Sequence, residues 1–141
     1  MKKILFVASE GVPFIKTGGL ADVVGSLPKY FDKRYFDARV ILPKYMCMKE
    51  EMKSMLQYRT HFYMDFAWRS VYVGIMEAYV DGIHYYFIDN EEYFGGTKPY
   101  GLVVSTIANL PSFTRTSLLV STIFIAASLR QSCISFMFSI V

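Results

Sequence analysis

Lys16-Thr17-Gly18-Gly19 is the stretch whose residue types and spacing could do chemistry by themselves. It stands between an apolar run and a helical pattern. Free N–H groups at a helix start point outward, glycines let a ligand approach the backbone closely, and a lysine adds a point charge. Together these suit an anion such as a diphosphate. The spacing is neither GxGxxG nor a Walker loop, so a plainer reading stays open in which the glycines only make a turn and Lys16 is solvated. Asp22, in the first turn of the predicted helix, is explained equally well as a favourable charge at the positive end of the helix dipole.

Other reactive side chains make weaker cases. His61 and His84 lie in strand patterns beside aromatics with no neighbouring ligand pair, which points to core or sheet-face placement and not to a metal. Met46, Met48, Met52 and Met55 read as packing residues. Cys47 and Cys133 are too few and too far apart for a metal cluster or a CxxC pair, so a reducing cytoplasm is the simpler setting.

Positioning the lysine loop requires an ordered frame around it. Lys3 to Ala8 is nearly continuous apolar sequence, as in a parallel strand covered on both faces. Two lysines before that run imitate a secretory leader, but five apolar residues ahead of Ser9 and Glu10 fall short of the roughly 7–15 required. Beyond the loop, Leu20, Val23, Val24, Leu27 and Phe31 recur at helical spacing and predict one apolar stripe, with a bend or end near Pro28. Ala38 to Pro43 then predicts a second strand, completing a unit of βαβ size. Lys44 to Met55 reads as a loop with a short helix. Arg69–Val80 and Ile83–Ile88, separated by Asp81-Gly82, predict an antiparallel hairpin, with Tyr58–Phe66 as a third strand beside it. Asp89 to Gly101 reads as a loop. The fold class is α/β with an antiparallel hairpin.

The chain has 141 residues, enough for one domain. Residues 1–101 hold thirteen basic and twelve acidic side chains, a balance of +1 that excludes a nucleic-acid binder working through bulk electrostatics. Residues 102–141 carry only Arg115 and Arg130 and no acid. Fourteen residues, Thr116 to Leu129, separate those arginines and include Ser117, Ser121, Thr122 and Ser128, less than the 18 or so that a membrane span needs. A membrane anchor is therefore the disfavoured reading of the tail.

Several words of this sequence together resemble the amino terminus of bacterial glycogen synthases and plant starch synthases. They are Lys2-Lys3-Ile4-Leu5-Phe6-Val7-Ala8-Ser9-Glu10, Pro13-Phe14, and Lys16-Thr17-Gly18-Gly19-Leu20-Ala21-Asp22-Val23. The likeness continues through Gly25-Ser26-Leu27-Pro28, Asp37 to Pro43, and Phe87-Ile88-Asp89-Asn90 to Tyr93-Phe94, and spans about residues 1–101. It implies a Rossmann-like part of the amino-terminal domain of a two-domain GT-B glycosyltransferase. The implied reaction is retaining transfer of glucose from ADP-glucose to an α-1,4-glucan in glycogen biosynthesis. No metal or other cofactor is implied.

By motif matching, the resemblance makes Lys16 the lysine that binds ADP-glucose, puts Gly18 and Gly19 in the backbone cradle, sets Asp22 beside the sugar, and brings Tyr100 near the glucose. No catalytic residue matches within the chain. The family's later helix, its His-Asp-Trp-like segment and its second domain are not found, so the chain is expected to be inactive alone. The alternative reading is a non-catalytic module that binds nucleotide or glucan. Residues 102–141 look foreign to the family, as an out-of-frame reading would. The strand at 3–8 is then expected to lack its usual neighbours, and Leu118 to Ile125 to make the whole chain poorly soluble.

Overall fold

A computed structural model describes residues 2–66, 69–97, 99 and 135–138. The apolar run after the first lysines forms β1 (Lys2–Val7), and the second predicted strand forms β2 (Phe36–Pro43), two residues longer at its start than the sequence suggested. Between them lie α1 (Gly19–Ser26) and a 3-10 turn at Leu27–Tyr30 that begins where Pro28 is expected to end regular α-helix. The remaining strands are β3 (Gln57–Phe66), β4 (Arg69–Val80), β5 (Ile83–Asp89) and β6 (Ser135–Phe138). They join in a six-stranded sheet of order β3-β4-β5-β2-β1-β6. β1, β2, β5 and β6 pair in parallel, whereas β3–β4 and β4–β5 are antiparallel.

The hairpin turn follows from its two residues. Asp81 and Gly82 both have positive φ, 52° and 78°, the backbone that a tight two-residue connection requires and that Gly and Asp adopt at low cost.

α1 corrects the predicted stripe. Val24 is buried and Leu20, Leu27 and Phe31 pack against the core, but Val23 faces outward with 54% of its surface exposed. The buried face instead carries Ala21, Val24 and Gly25. Small residues face inward because the helix presses directly on the preceding loop. The Val12 N–H donates to the Ala21 carbonyl (3.1 Å), and a Cβ at Gly25 would stand 2.7 Å from the Val12 carbonyl oxygen.

Three other expectations change. β1 does not lack neighbours, since β2 flanks it on one side and β6 on the other, with Ile4 opposite Ser135 and Val7 opposite Phe138. The segment after Asp89 is not all loop: α3 (Glu91–Phe94) forms one turn whose N-cap, Asn90, accepts the Tyr93 N–H. Of the four methionines, Met48 is buried and Met52 packs on the core, while Met46 and Met55 are exposed beside the short α2 (Glu50–Ser54).

The core lies between the central strands and the segments laid over them, with Val40, Leu42, Phe87 and Ile88 fully enclosed. His61 and His84 are exposed on the sheet, each stacked on a tyrosine ring, Tyr72 and Tyr86 respectively. Among the described residues no helix is long and apolar enough to cross a membrane, and no group of three His, Cys, Asp or Glu is placed to hold a metal. Thr116–Leu129, the Leu118–Ile125 window and the expected boundary at residue 101 lie outside the described residues.

Candidate functional site

The lysine loop leaves the carboxyl end of β1, the end at which open α/β sheets bind ligands. After the strand, the Ala8 N–H donates to the Ile41 carbonyl (3.2 Å), holding the exit against β2. Gly11 to Ile15 then close a tight turn. The Gly11 N–H donates to the Ile15 carbonyl (3.0 Å) while the Phe14 and Ile15 N–H groups return to the Gly11 carbonyl (3.0 and 3.1 Å). Its Val12–Pro13 peptide is cis. Phe14 anchors this turn in the core, its ring 5.0 Å by centroid from Tyr85 in a tilted geometry and 4.7 Å from Phe87 in the edge-type geometry favoured by aromatic quadrupoles.

From the turn the chain crosses to α1 through Lys16, Thr17 and Gly18. Gly18 is the N-cap in extended conformation and supplies no capping side chain, so the first N–H groups of the helix receive no side-chain oxygen from it. Lys16 Nζ donates to both carboxylate oxygens of Asp22 (2.8 and 2.7 Å), and both side chains are about half exposed. Thus Lys16, Gly18, Gly19 and Asp22 converge at one helix start. Tyr100 lies outside the described residues.

Sequence reasoning gave Glu10 no role. Its side chain is only 3% exposed, and it accepts the Thr17 N–H at 2.6 Å and the Thr17 hydroxyl at 2.5 Å. An acid placed just after a buried strand was the available signal. At the same sheet edge, Lys44 follows β2 and pairs with Asp89 at the end of β5 (3.0 Å), with both largely buried. Among the described residues Cys47 has no disulfide partner, and partial burial raises its thiol pKa, which lowers its reactivity at neutral pH.

This arrangement can hold a ligand that is anionic at one end and rich in hydroxyls at the other. A cation and uncapped helical N–H groups address the anion, and a carboxylate one helical turn on can accept hydroxyl hydrogen bonds.

Comparison with known proteins converges on one family. The family described as starch synthase catalytic domain matches residues 3–134. A glycogen synthase of Lachnospira eligens is 56% identical over 118 residues, covering 84% of this chain and 25% of that protein. One from Lachnoclostridium phytofermentans is 64% identical over 107 residues, covering 76% of this chain and 22% of that protein. Among solved structures, the catalytic domain of starch synthase IV from Arabidopsis thaliana bound to ADP and acarbose superposes with a TM-score of 0.67. It is 23% identical and covers 89% of this chain and 26% of that one, a likeness of fold. The chain spans about a quarter of the length of the curated relatives it matches.

Proposed function

Because the chain belongs to the starch synthase catalytic-domain family, we propose that its β1–α1 loop is one wall of the ADP-glucose site of a retaining glucosyltransferase that extends α-1,4-glucans in glycogen synthesis. The observation that carries this reading is the convergence of Lys16, Gly18, Gly19 and Asp22 at the start of α1, with Lys16 and Asp22 in direct contact. Lys16 takes the donor's diphosphate, the N–H groups from Gly18 and Gly19 cradle it, and Asp22 accepts hydroxyl hydrogen bonds from the glucose. By the family likeness alone, Tyr100 is assigned a role at the same sugar.

Departure of ADP concentrates negative charge on the β-phosphate. A lysine and oriented N–H dipoles stabilise that charge more in the transition state than in the ground state, which is what accelerates the step. An exposed ion pair such as Lys16–Asp22 is worth only about 0–1 kcal/mol, so exchanging it for phosphate and hydroxyl partners costs little. The remainder of the donor site belongs to sequence beyond this family segment, and the 141-residue chain by itself binds without turnover.

Calorimetric titration of the chain with ADP-glucose and with ADP tests the reading. Lys16→Ala should weaken both ligands about tenfold or more, equivalent to roughly 1.4 kcal/mol lost. Asp22→Asn should weaken ADP-glucose alone. Equal binding by wild type and Lys16→Ala sinks the assignment, and glucan elongation by the purified chain would refute its inactivity.

A further inference from the structure

We infer that Glu10 is a positioning residue of this site: its buried carboxylate fixes, through Thr17, the loop that carries Lys16 to the donor diphosphate. The inference rests on the proposed donor-site reading for what the loop binds, but the hold of Glu10 on the loop stands on geometry of its own.

Two buried polar side chains stand out among the described residues, Glu10 and Asn90. Asn90 is accounted for by the architecture, since it caps α3 and its Nδ2 donates to the Tyr72 carbonyl at 2.7 Å. Glu10 caps nothing and bridges no strands. A carboxylate removed from water costs several kcal/mol unless its hydrogen bonds are replaced, and here both replacements come from Thr17 and go to one oxygen, Oε2. The other oxygen, Oε1, lies 3.7 Å from the point a Cβ would occupy on Gly18. The carboxylate therefore lies alongside the Thr17-Gly18 backbone.

That placement separates its role from those of Lys16 and Asp22. A carboxylate free to face a diphosphate would repel it, whereas one that is buried with its oxygen engaged by an N–H and a hydroxyl of the loop spends its charge on the protein. Thr17 sits between the lysine and the first cradle glycine, so fixing its N–H fixes the Lys16–Thr17 peptide plane, and the hydroxyl bond holds the Thr17 side chain beside it. The neighbouring anchors lie further out. Phe14 holds the preceding turn in the core, and Gly25 docks α1 against Val12. Glu10 is thus the contact that sets the intervening three residues, and a loop held in advance loses less entropy when ligand arrives.

The experiment compares Glu10→Ala, Glu10→Gln, Thr17→Val and Thr17→Ser in the 141-residue chain by two readouts. The first is amide hydrogen exchange of residues 16–19 measured against β1, β2 and β5, and the second is titration with ADP. Glu10→Ala should raise exchange at Thr17 about tenfold or more, the factor that a lost charge-assisted bond of ~1.5 kcal/mol gives, while strand protection is unchanged. Its ADP affinity should fall by a similar factor. Glu10→Gln retains a carbonyl that can accept both Thr17 bonds, so it should recover to within about threefold, and Thr17→Ser should do the same.

Unchanged loop exchange in Glu10→Ala with an intact sheet overturns the proposal, as does a Glu10→Gln chain as damaged as Glu10→Ala. Should Glu10→Ala not fold, Thr17→Val decides by the same two readouts, since it removes the hydroxyl bond alone. A wild-type chain that takes up no ADP would refute the donor-site reading, while the exchange data would still decide whether Glu10 holds the loop.

Discussion

Between Ala8 and Gly25 the chain turns through a loop whose shape depends on single atoms, whereas from Gln57 to Val80 it runs as two long strands whose shape depends on a repeated ladder. In the first region one carboxylate oxygen, one missing Cβ and one ring account for the path: Glu10 on Thr17, Gly25 against Val12, and Phe14 between Tyr85 and Phe87. In the second, register from Gln57 opposite Glu77 to Phe66 opposite Arg69 spreads the stabilisation over many pairs, and Tyr58, Tyr63 and Tyr72 stand exposed. Concentrated support suits a binding loop, which must hold a few atoms in place. Distributed support tolerates change, and the same kind of substitution should therefore have unequal effects in the two regions.

The largest contrast is expected between Phe14→Ala and Tyr63→Ala. Phe14 is 3% exposed and meets two core rings, so its truncation should cost about 3–5 kcal/mol in urea unfolding. Tyr63 is 63% exposed, and its loss should stay within about 1 kcal/mol, since it gives up only exposed edge contacts with the Tyr72 and His61 rings. Equal losses at the two sites would erase the distinction.

A finer comparison uses one substitution, Gly→Ala, at Gly25 and Gly74. A Cβ on Gly25 would fall 2.3 Å from Val12 Cγ2 and 2.7 Å from the Val12 carbonyl oxygen, so backbone must move. Overpacking of that kind costs about 1–3 kcal/mol, offset in part by the roughly 1 kcal/mol that alanine adds inside a helix. At Gly74 the nearest atom is the Tyr72 hydroxyl at 2.8 Å, the far end of a partly exposed side chain, followed by Asp89 Cβ at 3.0 Å. Gly74→Ala should therefore be the milder change by thermal melting. Only Gly25→Ala should also raise amide exchange in the Gly11–Ile15 turn.

These contrasts explain what could be read from the sequence. The hairpin was legible because its turn needs two positive-φ residues and has Asp81-Gly82, and because alternation is local. β1 was legible as a near-continuous apolar run and β2 as a short strand stopped by Pro43, and the closeness of Lys16, Gly18, Gly19 and Asp22 because they sit within seven consecutive residues. The tie between Glu10 and Thr17 was not, since it depends on how the Gly11–Ile15 turn folds back. Val23 was misassigned for a related reason: helical periodicity fixes which residues share a face, but contact with Val12 decided which face turned inward. α3 is four residues long, too short for any period to declare itself, and its signal was the Asn90 cap alone. The β1–β6 pairing joins residues more than a hundred positions apart, which no local pattern encodes.

The smallest expected effect concerns charge, and it sets a parallel strand against the antiparallel β3 and β4. On β2, Asp37 accepts from Arg39 Nε at 3.1 and 3.0 Å and lies 2.8 Å from its Nη2, and this hydrogen-bonded guanidinium is the main reason its carboxyl lies below the usual 3.8. Burial opposes the shift, and the positive charges of Arg39, His84 and Lys3 add to it. A carboxyl with a lowered folded-state pKa contributes stability that is complete above its unfolded value and is lost as pH falls through the folded one. The wild-type chain should therefore lose more stability than Asp37→Asn as pH is lowered from about 5 through 3.8 and below. Because the Arg39 side chain is 38% exposed, water screens the pair, and the difference should be no more than about 1 kcal/mol. Across β3 and β4, Arg59 and Glu77 pair at 3.1 Å with the arginine 60% exposed, and Glu77→Gln should cost no more than about 1 kcal/mol at neutral pH. Urea midpoints at closely spaced pH values would measure both. Parallel curves for wild type and Asp37→Asn would mean that the β2 pair is only loosely coupled to folding.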